Sequence, residues 1–560
     1  MNKNKFIDSP YFVFAAGGFL GAVFFIYFYG SAILNFTYTD WLMTGGDLSQ
    51  HYTGWRLFRN SAWHFPLGLM DNIVHPFKVS VIYTDSIPLF ALVFKVFSPL
   101  LPQNFQYFGL FGIMCYMAQG GIAALIIKKL GGSISQSIIC SFLFIISSIM
   151  MWRMYDHTAL AAHCIILLCI LICLYYNSWS FKKQIISWAC LLPLSAALHL
   201  YFVPMVTVFM VSCLIYEYFA TKKIKEQLIV FSVALIALFV LMFCLGAFHF
   251  VQGVNTWNAL ELGFYSANLN SFINPQGVSR FINDMPLATN GQFEGNAYLG
   301  LGIILAIIGI SIWIVICMIK KNNKSDLKAN SKIKIYPFVI GIIVFFLLFS
   351  LSPTITLNQH TLFTYPVPGF IKSLWSIFRA TGRMTWPIVY IVTTICLWWI
   401  INRFSKKISI AILCALLLIQ CLDLWPSFTN KGIFFKTEHK FQSELYSPVW
   451  KNIANDHKHI FFVDDSFIMK DSLFSFLDLA ANNNMTVNNA YLARTNSVLI
   501  KENREKRSSY LMSNTVYIFP DERLAFSFIE SGMNFYRIDG IVIGIHSNME
   551  YLKSYALFVD

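Results

Sequence analysis

The sequence predicts a polytopic α-helical membrane protein that carries a water-soluble α/β domain at its C-terminus. Of its 560 residues, 57% are hydrophobic and 12% are charged, whereas soluble domains carry about 25% charged residues. Apolar runs long enough to cross a bilayer recur from Tyr11 to Leu424. The segment that follows holds 14 of the 41 Lys and Arg and 15 of the 28 Asp and Glu, as in an ordinary soluble domain. We therefore divide the chain into a membrane domain, 1–425, and a soluble domain, 426–560.

Apolar stretches of roughly 16–24 residues predict about eleven transmembrane helices in the membrane domain. These are 11–34, 105–127, 134–151, 158–177, 185–199, 201–219, 227–248, 298–319, 335–352, 386–401 and 408–424. The run from Ile87 to Leu101 contains Lys95 and has a proline near each end. We assign this run to an amphipathic or re-entrant helix at the outer interface.

The Lys and Arg residues of the short loops fall on one side of these spans, which the positive-inside rule identifies as cytoplasmic. They are Lys3, Lys5, Lys128, Lys129, Lys182, Lys183, Lys222, Lys223, Lys225, the cluster Lys320–Lys334, Arg403, Lys406 and Lys407. The N-terminus is then cytoplasmic, and the large loops 35–104 and 249–297 lie outside with the soluble domain. The net charge of +13 is an orientation signal and predicts no nucleic-acid partner.

Within the soluble domain, short β-like runs alternate with helical stretches such as Ser472 to Ala481. The β-like runs are 459–463, 485–487, 515–519 and 537–545. This alternation predicts a small α/β fold. The twelve cysteines all lie in the apolar segments and form neither a disulfide framework nor a CxxC metal pattern.

The first outer loop contains two acids suited to catalysis. Asp47 follows two glycines, which permit a tight turn, and is expected at the N-cap of a helix that runs through Arg59. His51 lies one turn later on the same helical face. Asp85 precedes the interfacial helix in the stretch YTDSIP. Each carboxylate is a candidate general base or cation ligand, and helix capping is the alternative role for both.

Another acid and three histidines follow at the outer ends of the next spans. Asp156 and His157 occupy the turn after the third span, and His163 follows seven residues after Asp156, on the face that Asp156 also occupies. His199 lies at the next outer turn, in the same layer. Histidines in a membrane are costly and are therefore candidates for function, although an interhelical hydrogen bond is the alternative explanation.

Two pairs of polar residues complete this layer. Gln292 and Glu294 are bracketed by glycines in GQFEG, directly before a span, which suits close approach of a ligand to the backbone. Arg379 and Arg383 are four residues apart and are expected to share a helical face at the outer surface. Arginine is usually kept on the cytoplasmic side, and its guanidinium group suits phosphate oxygens. Anchoring to lipid headgroups is the alternative role for this pair.

The stretches GGDLSQHYTGW, YTDSIPL, QYFGL, GQFEGNAYLGLG and FRATGRMTWP resemble a poorly characterised bacterial family that is usually grouped with the GT-C superfamily of integral-membrane glycosyltransferases. The order of first span, long outer loop with an early Asp and interfacial helix also looks like that superfamily. The resemblance covers the spans and part of the soluble domain. It implies a sugar donor carried on polyprenyl phosphate or pyrophosphate, with Asp47 as base or metal ligand.

The sequence departs from the GT-C pattern at one point. Many GT-C enzymes place two acids close together in the first outer loop, whereas here Asp85 lies 38 residues beyond Asp47. No cofactor is therefore assigned, and dependence on a divalent cation, Mg²⁺ or Mn²⁺ held by Asp47 or Asp85, is left open.

Together these residues predict an inverting glycosyltransferase of the bacterial cytoplasmic membrane. It would transfer a sugar from a polyprenyl-phosphate donor to a cell-envelope glycan, such as an O-antigen or a teichoic acid, on the outer face. Asp47, as the base, and Asp85 are assigned to catalysis, and Arg379 and Arg383 to the donor phosphate. The residues assigned to substrate binding are His51, Asp156, His157, His163, His199, Gln292 and Glu294.

Two other classes of function are compatible with the sequence. A transporter or flippase of lipid-linked glycans would place ionisable groups near the middle of the membrane, whereas the ionisable residues here cluster at the outer edge. A membrane acyltransferase would use His163 or His199 as its base.

Overall fold

The computed structural model describes residues 9–249, 262–319 and 338–557, with gaps at 468–469, 495–497, 499, 503, 506–511 and 548. Several sequence predictions concern segments outside the described residues. These are Lys3, Lys5, the cluster Lys320–Lys334, part of the loop 249–297 and the first residues of the predicted span 335–352.

The membrane domain is helical, and the loops at one end of its helices fold into a compact second layer. Its helices are α1 Pro10–Tyr29, α2 Gly46–Asn60, α3 Pro88–Val96, α4 Phe108–Lys129, α5 Ile134–Ile145, α6 Ser148–Arg153, α7 Cys164–Tyr175, α8 Phe181–Leu198, α9 Phe202–Thr221, α10 Ile224–Cys244, α11 Leu301–Ile319, α12 Phe338–Leu351, α13 Gly369–Ser376, α14 Trp386–Arg403, α15 Lys406–Asp423 and α16 Trp425–Lys436. Its antiparallel hairpins are β1 Leu69–Val74 with β2 Phe77–Ser80, and β3 Thr354–Leu357 with β4 His360–Thr364.

In the described part of the chain, seven helical segments are long and apolar enough to cross a membrane, or eight if the bent pair of α15 and α16 counts as one span. The seven are Pro10–Tyr29, Phe108–Lys129, Thr158–Ser178, Phe202–Thr221, Ile224–Cys244, Leu301–Ile319 and Thr381–Arg403. The prediction of a polytopic α-helical membrane protein is therefore confirmed.

The predicted number of eleven spans is too high, because a run of apolar residues does not reveal where a helix breaks. The predicted span 134–151 is divided between α5, which ends at Ile145, and the short α6. The predicted span 185–199 is the second part of α8, which begins with two lysines and contains Pro193. Beyond Asp423 the chain bends by 58° between α15 and α16.

The loop 35–104, which keeps the name first outer loop from its predicted side, packs as a layer in which α2 is buried continuously from Leu48 to Phe58. The N-cap of α2 is Gly45 and not the predicted Asp47. The reason is the backbone at Gly45, whose φ of 96° lies in the left-handed region that favours glycine. Asp47 instead lies in the first turn of α2, and its side chain is free to serve another purpose than capping.

The soluble domain combines helices with a five-stranded sheet. Its elements are α17 Val449–Asp456, β5 His459–Phe462, α18 Ser472–Asn483, β6 Thr486–Val487, β7 Thr515–Phe519, α19 Glu522–Phe526, β8 Asn534–Ile538 and β9 Ile541–Ile545. The strand order in the sheet is β6-β5-β7-β9-β8. Strands β6, β5 and β7 are parallel, and β9 and β8 continue the sheet in antiparallel fashion. The predicted C-terminal α/β fold is confirmed.

The soluble domain docks on the first outer loop through α18, which packs against α2. The guanidinium of Arg56 is 5% exposed and donates hydrogen bonds to the carboxylate of Asp478 and to the side-chain oxygen of Asn482, the latter at 2.6 Å. Beside this contact, the backbone N–H of His75 donates to the carbonyl of Val487 at 2.8 Å. The two domains are therefore joined by a buried charged contact and by backbone pairing.

We expect Arg56→Ala to loosen the docked soluble domain. The substitution removes hydrogen bonds that involve charged groups and leaves Asp478 partly buried without its cation, a loss of about 2 kcal/mol. The measurement is the rate at which protease releases the soluble domain from detergent-solubilised protein. Arg537→Ala is the matched control, because its ion pair with Glu522 lies half-exposed within the soluble domain and such pairs contribute little. Equal release rates for both variants would contradict the assigned contact.

Candidate functional site

A cavity of about 390 Å³ lies where the outer loops of the membrane domain meet the soluble domain. The first outer loop forms one wall, the outer turns that follow α6 and α8 form the floor, and the segment between α13 and α14 forms the opposite wall. Residues 491–494 of the soluble domain complete it. Its ionisable lining groups, tyrosines aside, are Asp47, Asp85, His157, His199, Glu294, Arg379, Arg383 and Arg494.

Asp85 and two histidines meet on the wall of the first outer loop. The Nε2 atom of His199 lies 3.4 Å from one carboxylate oxygen of Asp85, and the Nε2 atom of His157 lies 3.7 Å from the other. The ring of His51 is centred 5.1 Å from that of His157. Sequence reasoning placed these four residues in one layer, and the structure brings them into contact.

A strained turn holds Asp85 in this position. Asp85 and Ile87 both have positive φ, 53° and 55°, which is unfavourable for a β-branched residue such as isoleucine and costs about 1–3 kcal/mol per residue. The hydroxyl of Ser86 lies 2.8 Å from that of Thr84 and donates to the backbone carbonyl of His51 at 2.7 Å. The turn is thus tied to α2, and this fixes the Asp85 carboxylate against the histidines.

Burial sets the protonation of the groups on this wall. Burial and, to a smaller extent, the charge of Asp85 raise the pKa of Asp47 to about 6, against the opposing effect of Arg383. Burial lowers the pKa of His51 to about 4 against the opposing effect of Asp85, and it also lowers the pKa of His157. The wall therefore presents neutral imidazoles beside a carboxyl group that exchanges its proton near neutral pH.

The opposite wall is built on the carboxylate of Glu294. Arg383 donates to both of its oxygens, from Nε at 2.8 Å and from Nη2 at 2.9 Å, and Arg153 donates to one of them. Burial alone would raise the pKa of Glu294, but Arg383 and Arg153 hold it at about 2. Two guanidinium groups and one carboxylate leave this buried cluster with a net positive charge.

Two glycines allow this cluster to form. A Cβ atom on Gly382 would lie 2.5 Å from the Cα atom of Gly295, so the two backbones touch where a side chain on Gly382 would separate them. The glycines flank Arg383 and Glu294 in sequence. The glycines of the GQFEG and RATGRM stretches therefore allow one close backbone contact, which brings Glu294 within hydrogen-bonding distance of Arg383.

Arg379 and Arg383 do not share a helical face, which corrects the prediction. Helix α13 ends at Ser376, and a 3₁₀ turn over Thr381–Thr385 precedes α14. Arg379 lies in the link between them, with its guanidinium 4.4 Å from the ring centre of Tyr265 and a hydrogen bond to the tyrosine hydroxyl. Both arginines nevertheless line the same cavity.

Three residues predicted for substrate binding are engaged elsewhere. Asp156 forms an exposed ion pair with Lys431 at 2.6 Å. His163 is fully buried below the cavity, and its Nδ1 atom lies 2.7 Å from the hydroxyl of Tyr390. Gln292 is buried in a network in which its Nε2 atom donates to Thr356 at 2.8 Å.

The predicted common face of Asp156 and His163 is wrong because no continuous helix joins them. Tyr155 has a φ of 67°, Thr158–Ala161 is a 3₁₀ turn, and α7 begins only at Cys164. His51, by contrast, is close to the site, but its side chain is fully buried and does not line the cavity.

Sequence reasoning missed the contribution of the soluble domain. The backbone N–H of Ala493 donates to the carbonyl of Tyr83 at 2.8 Å, and this contact carries Tyr491 and Arg494 to the cavity. Arg494 donates to the carbonyl of Ile377 at 2.6 Å. No local pattern marks these residues, because their position depends on how the two domains dock.

The fold and the cavity define a polytopic membrane protein with an ionisable site at one end of its helices. The chain belongs to the DUF6311 family, a domain of unknown function, whose profile matches residues 18–425. A second profile, the DUF6311 C-terminal domain, matches residues 449–546. No curated protein matches the sequence.

We expect Glu294→Gln to destabilise the fold, because it leaves two buried guanidinium groups without their carboxylate. Removing one partner of a buried ion pair costs about 3–5 kcal/mol. The pKa of Glu294 is lowered from 4.5 to about 2, so its contribution is complete above pH 4.5 and is lost as the pH falls towards 2.

The measurement is the unfolding free energy of wild type and Glu294→Gln in detergent between pH 7 and pH 3. The difference should be large at neutral pH and shrink below about pH 4.5. Glu226→Gln is the control, because its pair with Lys223 is exposed. A difference that does not change with pH would contradict this account of Glu294.

Proposed function

We propose that this chain is an inverting glycosyltransferase of the bacterial cytoplasmic membrane. It takes a sugar from a polyprenyl-phosphate donor and adds it to a cell-envelope glycan on the outer face. The observation that carries the proposal is the cavity itself, which sets a carboxyl group of raised pKa, Asp47, opposite a wall of arginines. A base facing a phosphate-binding wall is the arrangement that transfer from a lipid-linked phosphate requires.

Asp47 acts as the general base in this mechanism. It accepts the proton of the acceptor hydroxyl while the hydroxyl oxygen forms a bond to the anomeric carbon of the donor sugar. The bond from that carbon to the phosphate oxygen breaks, and polyprenyl phosphate leaves with the electron pair. A single displacement of this kind inverts the anomeric configuration, and a base whose pKa lies near the working pH is best suited to it.

The leaving phosphate is held by Arg379 and Arg494, one from each domain. Arg383 has a different role from the one predicted, since Glu294 occupies its guanidinium. It positions Glu294 and, with Arg153, supplies a fixed positive charge at this wall. Such preorganised charge stabilises the negative charge that develops on the leaving group.

An apolar margin beside the cavity suits the prenyl chain of the donor. Leu198, Leu200 and Phe378 line the cavity, and α13, which ends two residues before Phe378, carries Phe370 and Leu374, which are 69% and 62% exposed. Exposed apolar side chains on a short helix of a membrane domain match a lipid environment. Apolar side chains in the cavity and on the helix that leads to it support a lipid-linked donor over a soluble sugar nucleotide.

The packing around His163 favours an enzyme over a transporter. The ring of His163 is centred 4.7 Å from that of Trp386, and its Nδ1 atom is bonded to Tyr390. A transporter would expose ionisable groups to its polar cargo near the middle of the membrane, whereas this histidine is enclosed by aromatic side chains. The same packing engages His163, one of the two histidines considered as the base of an acyltransferase.

The catalytic prediction is that Asp47→Asn abolishes transfer, because removal of a general base lowers a rate by about 10²–10⁴. A deletion strain is complemented with wild type or with Asp47→Asn, and its surface glycans are analysed by mass spectrometry. Loss of one sugar, restored only by wild type, is the expected result. Asp156→Asn is the matched control and should restore the sugar, because Asp156 lies outside the cavity and is 53% exposed. Restoration by Asp47→Asn, or accumulation of an unflipped lipid-linked precursor, would overturn the proposal.

The orientation is tested separately by cysteine labelling from outside intact cells. Thr44→Cys and Ser466→Cys occupy exposed positions beside the cavity and in the soluble domain, and Ser405→Cys is exposed at the opposite end of α14. The first two should react with an impermeant maleimide above the background of the native cysteines, and the third only after the membrane is permeabilised. The reverse pattern would place the cavity in the cytoplasm.

A further inference from the structure

The contact of Asp85 with two histidines has the dimensions of a metal site. The distances of 3.4 and 3.7 Å from its oxygens to His199 and His157 are long for charge-assisted hydrogen bonds, which measure about 2.7–2.9 Å. Ligand atoms about 2.1 Å from a tetrahedral ion lie about 3.4 Å from one another. One ligand atom from each of the three residues lies within 4.8 Å of the other two.

The surroundings of these residues also point to a cation. His51 is fully buried beside His157, and neither of its ring nitrogens has a hydrogen-bond partner among the described residues. Within the same part of the chain, the buried Nδ1 atom of His157 also has none. Buried polar groups are normally paired, so these unpaired nitrogens show that the layer around His157 has polar atoms that a bound ligand shell or ordered water would have to satisfy.

We propose that Asp85, His157 and His199 bind one divalent transition-metal ion, of the class of Zn²⁺ or Mn²⁺. Two imidazole nitrogens and one carboxylate favour such an ion over Mg²⁺, which prefers oxygen ligands and retains its waters. The site opens towards the cavity, because all three residues line it. Among the ions considered from the sequence, Mn²⁺ is compatible with this ligand set and Mg²⁺ is not favoured.

The ligands come from segments far apart in the chain, and the fold itself assembles them. The strained turn presents Asp85, the break after α6 presents His157, and the end of α8 presents His199. Asp47 and His51 form a second group with His157. Because the two groups share only His157, substitutions in each of them separate the assignments.

The role of the ion rests on the proposed function. Bound at this wall, it would supply positive charge to an oxygen of the donor phosphate or of the acceptor. Asp47 remains the proton acceptor, and no step of the mechanism above depends on the ion. Metal binding is therefore measurable whether or not the chain transfers a sugar.

The first experiment uses full-length protein in detergent, stripped with chelator and then incubated with Zn²⁺, Mn²⁺, Co²⁺ or Mg²⁺ separately. After removal of free metal, we expect about one equivalent of Zn²⁺ or Mn²⁺ per chain and little Mg²⁺, and Co²⁺ should give the visible absorption of a nitrogen-ligated site. Protein that retains none of the three transition metals, or that retains Mg²⁺ alone, would overturn the proposal.

The second experiment assigns the ligands. His199→Gln and Asp85→Asn should each weaken Zn²⁺ binding by more than the 10–100-fold expected from loss of an outer-shell partner. His163→Gln is the matched control, because this histidine is buried and bonded to Tyr390, and it should bind as wild type does. Gel filtration verifies that each variant is folded. Binding lost in Asp47→Asn and His51→Gln but kept in folded His199→Gln would disprove the assignment.

The two proposals fail separately. Stoichiometric metal binding in a protein whose deletion leaves every surface glycan unchanged would retain the metal site and remove the glycosyltransferase. A glycan defect that is restored by wild type, in a protein that binds no transition metal, would retain the enzyme and remove the metal site.

Discussion

The carboxylate of Glu294, shared between Arg153 and Arg383, is the interaction on which the rest of the site depends. It ties together the end of α6, the loop before α11 and the turn before α14. Where they meet, these three segments are a helix end, a loop and a turn, and no long helix holds them together. The ion cluster and the contact of Gly295 with Gly382 therefore fix their relative positions. Because two buried arginines would be very costly without their acid, the cluster also commits these segments to a single arrangement, and a cavity with a defined charge pattern follows from it.

The sequence predicted the general architecture because hydropathy reports the solvent of each segment directly. The apolar helices and the α/β domain follow from composition and periodicity. The number of spans was overestimated, since helix breaks such as the one after Ile145 depend on tertiary packing. The layer of ionisable residues was recognised because charged groups are rare in this chain. Their partners were not, since whether Arg383 faces a ligand or Glu294 depends on a contact between loops that are 89 residues apart.

The soluble domain forms part of the cavity. From the sequence it is an appendage after the last span, yet in the structure its residues 491–494 border the cavity, and Arg56 holds its helix α18 against the first outer loop. A site completed by two domains can exclude water only when both are in place, and exclusion of water strengthens every electrostatic interaction inside. Under the proposed function, docking of the soluble domain and chemistry in the cavity are therefore coupled, and the contacts that anchor α18 contribute to the site without touching it.

The two walls of the cavity divide the chemistry between them. One wall holds carboxyl groups and neutral imidazoles, which accept protons or bind a cation, and the other holds arginines that cannot lose their charge. Burial raises the pKa of the acid on both walls: that of Asp47 reaches about 6, whereas at Glu294 the arginines overcome the effect of burial and hold the pKa at about 2. Under the proposed function, this charge pattern orients a substrate with its phosphate towards the arginines and its hydroxyl towards Asp47. The asymmetry of charge, more than any single residue, would then decide which end of a lipid-linked donor faces the base.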